Sequence, residues 1–232
     1  MNKKNKLLCI FPMLLISTLI SAQIAADFNW IKDVDGNKYS VYSYQGYSYM
    51  TENLKVKRFA NGDSIIESKN AEEWKINCSK SLPTYMIHKD YPELGIMYNG
   101  FAVFDSRNLL TNGYTIMADS IYYEEYWENK YKGNEENRKK FELTLLGQSY
   151  TTSSAYNSDC RESKAFYIEP DGKIQESPCK GGRWWMIESG NAHIDNSFST
   201  ACCTGFDGAH HGDYEKDNWQ SWGFYVRGIK KE

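Results

Sequence analysis

Proline is scarce in this chain, 5 in 232 residues, and histidine scarcer still at 4. The composition excludes a collagen repeat, and no low-complexity linker interrupts residues 28–231. An excess of one charge is also lacking. The 27 Lys+Arg stand against 30 Asp+Glu, a formal net charge of −3, which argues against a dedicated nucleic-acid binder. Enzyme signatures are missing: there is no Gly-x-Ser-x-Gly elbow, no His-Glu-x-x-His and no Gly-rich phosphate loop. Aromatic residues are abundant, at 15% with 18 Tyr and 7 Trp, within 41% hydrophobic and 25% charged residues. That balance belongs to a folded globular protein and excludes a disordered tail or a coiled coil.

No apolar run reaches the about 20 residues needed to span a bilayer. The longest covers the 14 residues Leu7–Ile20, broken by Pro12, Ser17 and Thr18. Lys3, Lys4 and Lys6 precede it, and the small residues Ser21 and Ala22 follow. This is the pattern of a secretory signal over residues 1–22, with cleavage expected after Ala22 and a second option near Ala25–Ala26. The competing reading is an N-terminal membrane anchor. Cys9 stands at the start of the run rather than its end, so it is not placed for lipid attachment. Without the signal, 210 residues remain with a net charge of −6. That length suits one domain burying about 70% of the surface its unfolded form exposes. No second long apolar segment appears, so no transmembrane segment is expected after signal removal.

Five cysteines follow the signal: Cys78, Cys160, Cys179, Cys202 and Cys203. In an oxidising compartment they are expected to form structural disulfides rather than metal sites. Cys160–Cys179 is the preferred pair, closing a loop rich in Ser, Glu and Gly and contributing about 3 kcal/mol in the chain-entropy account. Neighbours Cys202 and Cys203 can hardly bond each other without strain, and the odd count leaves one thiol over.

Residues 37–44, NKYSVYSY, read as a strand preceded by the turn Asp33-Val34-Asp35-Gly36. Gln45-Gly46 then turns the chain into Tyr47-Ser48-Tyr49-Met50, which is expected to pair back as a hairpin. Residues 60–93 read as irregular, with Asn61-Gly62-Asp63, Ser79 to Ser81 and Pro92 as breakers. One helix is expected after a cap at Asp119 or Ser120, carrying Tyr122, Tyr123, Tyr126, Trp127 and Tyr131 at three- and four-residue spacing. A second follows Asn134, with Glu135 and Glu136 in its first turn, Phe141, Leu145 and Leu146 on its apolar side, and Gly147 at its end. Residues 165–168, 183–187 and 223–229 are strand candidates. Two helices among short, mostly antiparallel strands make an α+β domain.

Five blocks in order carry a family resemblance. Asp35-Gly36-Asn37-Lys38-Tyr39, Gly46 and Met50-Thr51-Glu52-Asn53-Leu54-Lys55 form the first. Gly95-Ile96-Met97-Tyr98-Asn99-Gly100-Phe101-Ala102-Val103 is the second, and Asp105-Ser106-Arg107 with Gly113-Tyr114 and the Asp119–Trp127 stretch is the third. Arg183-Trp184-Trp185-Met186-Ile187-Glu188-Ser189 and Gly223-Phe224-Tyr225-Val226-Arg227-Gly228-Ile229-Lys230 complete the set. Together they resemble the Fibrobacter succinogenes major paralogous domain over nearly all of residues 23–232. The resemblance implies one exported bacterial domain with a C-type lectin-like fold, and it brings no activity and no catalytic residues. The chain departs from the family pattern where Gly100 and Tyr114 replace Trp, where Tyr49 replaces another Trp, and where Gly228 stands in place of Cys. The closing block reaches the end of the sequence, so a periplasmic or simply secreted protein is expected over dedicated surface display.

The acidic stretch Asp207 to Trp219 is the candidate ligand site. Asp207, Asp213, Glu215 and Asp217 can offer calcium several hard oxygen ligands from one loop, with Asn218 beside them. A solvated surface loop is the plain alternative. Asp33-Val34-Asp35-Gly36-Asn37 lacks the Gly and Glu that a helix-loop-helix calcium site requires and reads as a turn. His210-His211 with Cys202, Cys203 and His193 makes poor chelate geometry, because neighbours on an extended chain point apart. Trp184, Trp185, Trp219, Trp222 and Tyr225 cluster late in the chain. Strand alternation turns one of Trp184 and Trp185 to the core, and core packing is the expected role for most of the five; where one is exposed, Trp185 or Trp219 is the candidate to stack on a sugar, with Asp217 and Asn218 nearby. The expectation is an exported, non-enzymatic binding or surface-interaction domain with a glycan as candidate ligand and calcium as candidate cofactor. The alternative is a structural or adhesin component that binds protein partners.

Overall fold

The computed structural model describes residues 28–122, 132–133, 166–176, 184–187, 198–200 and 218–232. Its first sheet runs in the order β1-β2-β3-β13-β7. Those strands are β1 (Phe28–Lys32), β2 (Lys38–Tyr44), β3 (Tyr47–Met50), β7 (Thr115–Ile116) and β13 (Gly228–Lys231). The second is β4-β5-β6-β12-β8-β9, formed by β4 (Ile66–Glu67), β5 (Thr84–Ile87), β6 (Ile96–Asn99), β8 (Phe166–Ile168), β9 (Ile174–Glu176) and β12 (Gly223–Phe224). A third pairs β10 (Trp185–Ile187) with β11 (Phe198–Thr200). All pairings are antiparallel except β4 with β5. Mixed helix and mostly antiparallel strand content is the α+β architecture expected from the sequence.

The expected hairpin is present. β2 and β3 pair from Val41↔Met50 to Tyr44↔Tyr47. Gln45 and Gly46 between them hold φ of 51° and 76°. Two successive left-handed residues give the turn whose twist matches that of the flanking strands.

Residues 60–93, expected to be irregular, instead hold β4, the helix α1 (Ala71–Ser79) and β5. The helix begins with a reciprocal cap. Asn70 Oδ1 accepts the Glu73 N–H at 2.9 Å, and the Glu73 carboxylate reaches back to the Lys69 N–H at 2.9 Å. Trp74 and Cys78, one turn apart, bury its inner side. Two short turns follow, α2 (Gly100–Val103) and α3 (Asp119–Tyr122). The first expected helix begins at Asp119, so that Asp119 and Ser120, expected to cap it, lie inside its first turn; its remainder after Tyr122 and the whole second helix lie outside the described residues.

The closing stretch, expected as one strand, is split between sheets. Gly223 and Phe224 pair with β6, Tyr225 bridges to Trp184, and Gly228 to Lys231 pass to β3 and β7. Between them the Val226 carbonyl accepts the Leu54 N–H at 2.9 Å. One segment thus stitches all three sheets together.

Strands near this seam are buried on both faces. Ile96, Tyr98, Trp185 and Phe224 pack in one core, whereas Met97, Trp184, Met186 and Tyr225 pack in the other. Side chains still alternate, but each face meets a core. Both Trp184 and Trp185 are therefore buried, at 2% and 1% exposure, where alternation alone requires one of them to face inward. Cys78 is a buried free thiol. Cys160, Cys179, Cys202 and Cys203 lie outside the described residues, as does the expected signal. Among the described residues no helix is long and apolar enough to cross a membrane.

Candidate functional site

Of the residues expected to bind ligand, Asp207, Asp213, Glu215 and Asp217 lie outside the described residues. Asn218 is described and exposed. It opens the single turn Trp219–Ser221 and accepts the Ser221 hydroxyl on Oδ1 at 2.6 Å. The Ser221 carbonyl in turn accepts the Trp74 indole N–H at 2.9 Å. The acidic stretch thus ends on a turn fastened to α1.

Trp219 does not offer an open face. It is 7% exposed, with its ring centroid 5.5 Å from Phe104 and 6.1 Å from Trp185. Its place depends on Gly100, where a Cβ would lie 3.0 Å from the Trp219 ring and 2.8 Å from Gln220 Cα. Trp185 is more deeply held, donating its indole N–H to the Tyr98 carbonyl at 2.8 Å and meeting Phe224 edge-on at 4.9 Å. The stacking role expected of Trp185 and Trp219 is corrected accordingly: both rings are spent on internal packing.

These two rings support a chain of aromatic contacts that reaches the surface elsewhere. Phe104 meets Trp185 and Trp219 edge-on and is 40% exposed. On the other side Phe224 stacks with Trp222, whose ring lies nearly parallel to it, and Trp222 stacks on Tyr167. Trp222 and Tyr167 are half-buried. Phe104 is inconspicuous in the sequence, one apolar residue among several in Phe101-Ala102-Val103-Phe104. The signal was the break in polarity at Asp105, directly after it.

A second cluster is structural. Asn53 Oδ1 accepts the Trp184 indole N–H at 2.7 Å and the Arg227 Nε–H at 2.8 Å, while its amide donates to the Leu94 carbonyl at 2.6 Å. The Arg227 guanidinium lies 4.5 Å from the Trp184 ring centre, within cation–π range. Three of the five resembling blocks meet at this amide.

The Asp33–Asn37 turn is saturated by its own donors. Asp33 accepts the N–H groups of Asp35 and Asn37 at 2.9 Å, the Asn37 amide at 2.8 Å and the Tyr39 hydroxyl at 2.5 Å. A cation would need those same lone pairs, so the geometry is that of a turn. Burial lifts the Asp35 carboxyl, but the Lys57 N–H and the Arg58 guanidinium outweigh it and hold the group below its ordinary range. Among the described residues no group of three or more His, Cys, Asp or Glu is placed to hold a metal. Compared with known proteins, the chain matches no family model, no curated protein and no solved structure.

Proposed function

We propose that this chain is an exported, non-enzymatic binding module that takes a glycan on the aromatic surface formed by Phe104, with the C-type lectin-like fold of the Fibrobacter succinogenes major paralogous domain. The observation that carries the reading is the position of Phe104. Its ring stands 40% exposed on the buried pair Trp185 and Trp219, and Trp219 directly follows Asn218 at the end of the acidic stretch. An aromatic ring held rigidly from below is what the apolar face of a pyranose stacks against, with polar groups at its edge to take the hydroxyls.

Family membership draws support from the convergence at Asn53, where residues of the first, fourth and fifth blocks share one hydrogen-bonded amide. The loss of the family's Trp at position 100 has a physical counterpart, since the Trp219 ring and Gln220 occupy the space a side chain there would take.

The test is a glycan-array screen of the purified chain, with calcium and with a chelator. Binding that Phe104→Ala abolishes supports the reading, and loss of that binding with chelator and with Asp217→Ala would add the calcium role. No binding in either condition retires the glycan reading and favours a protein partner.

A further inference from the structure

The most exposed large aromatic among the described residues is Trp30, at 62%. It sits on β1, at the edge of the first sheet, directly opposite Ser40. Two residues along, Lys32 stands directly opposite Lys38. Residues two apart on a strand, and residues directly opposite across a pair, share a face. Trp30, Lys32 and Lys38 therefore project from one face, and all three are exposed.

Two like charges directly opposite each other disfavour the pairing, since their Cβ atoms lie about 5 Å apart. Among the described residues, neighbouring carboxylates do not relieve them. Asp33 faces Tyr39 and its own turn, Asp35 pairs with Arg58, and Glu52 accepts the backbone N–H and hydroxyl of Ser40. In a chain with a net charge of −3, this rim holds two lysines without an ion pair among the described residues, beside an open indole. The geometry points to an anionic-carbohydrate subsite: the apolar face of a uronic-acid ring on Trp30, its carboxylate between Lys32 and Lys38. The diagonal from Trp30 to Lys38, about 7–8 Å, is within reach of a lysine side chain. A lipid surface fits less well, because the ladder position opposite Trp30 is Ser40, hydrogen-bonded to Thr51 and Glu52, and not a second apolar side chain.

This subsite shares no residue with the Phe104 surface, and it is tested with a ligand chosen for its charge. The purified chain is titrated with polygalacturonate, with neutral dextran, and with vesicles of phosphatidylcholine and phosphatidylglycerol. Binding of polygalacturonate but not dextran is expected, weakened by salt and lowered by about tenfold or more in Trp30→Ala and in the double variant Lys32→Gln/Lys38→Gln. Ile76→Ala, at an exposed apolar position on α1, should leave it unchanged. All three positions are exposed, so the variants keep the fold, which circular dichroism checks. Absence of polygalacturonate binding, or binding indifferent to both variants, overturns the assignment. Binding to the anionic vesicles alone overturns it in favour of a membrane surface.

Discussion

The indole of Trp184 donates to Asn53 Oδ1 at 2.7 Å, joining residues 131 positions apart. The same oxygen takes Arg227, and the same amide holds the Leu94 carbonyl. Truncation to Asn53→Ala removes three hydrogen bonds and takes away the acceptor of the part-buried Trp184 indole N–H. A loss of about 2–3 kcal/mol in unfolding free energy is expected, read from urea midpoints. Trp184→Phe should cost much less in the Asn53→Ala background than alone. Additive costs would show that the two side chains do not act as a unit.

A second expectation concerns backbone approach. Gly172, in the turn between β8 and β9, has a φ of +85°, and a Cβ there would lie 2.2 Å from the Ala71 carbonyl at the start of α1. Gly36 has a nearly equal φ of +83° with nothing within 4 Å. Gly36→Ala should therefore cost only the left-handed strain, about 1 kcal/mol. Gly172→Ala must also push α1 away and should cost several times more. Equal melting shifts in the two variants would contradict the close packing of this turn against the helix.

How much of this was readable in the sequence follows from the range over which each feature is decided. The β2–β3 hairpin was legible because Gln45-Gly46 and the strand alternation are local. Helix α1 was overlooked although Asn70 and Glu73 spell out its cap, because the breakers around Asn61-Gly62 and Pro92 dominate that stretch. The double burial of Trp184 and Trp185 was not legible. A period of two shows alternation but does not reveal that a second core waits on the far face. The split of the closing strand had one local mark, Gly228, the residue on which β13 opens, but which sheet each half joins is decided by tertiary pairing. For the candidate site, the acidic stretch indicated where polar ligand groups gather. Only packing showed that Trp219 anchors it and that Phe104 carries the exposed ring.

Cys78 gives a chemical test. Burial raises its thiol pKa, only partly offset by contacts from Asn99 and Ser221, so the thiolate that alkylating reagents attack is suppressed in the fold. The peptide containing Cys78 should remain unmodified by iodoacetamide in the native chain and label fully in denaturant. Rapid native labelling would contradict its burial.

Alkaline titration tests the core tyrosines. Burial, reinforced by Glu67, raises Tyr85 from 10.0 to about 12, and burial holds Tyr39, Tyr98 and Tyr225 higher still. Each folded-state pKa lies above the unfolded one, so the stabilisation is complete below about pH 10 and is lost as pH rises through the folded values. Urea midpoints should be flat from pH 8 to about 9.5 and then fall, with phenolate absorbance appearing in step with unfolding. Within this set the Tyr225 hydroxyl is buried without a hydrogen-bond partner. Its desolvation is uncompensated, so Tyr225→Phe should raise stability by about 1 kcal/mol and reduce the alkaline fall. A loss of stability instead would mean that the hydroxyl is satisfied in solution, and that this part of the core holds a polar partner for it.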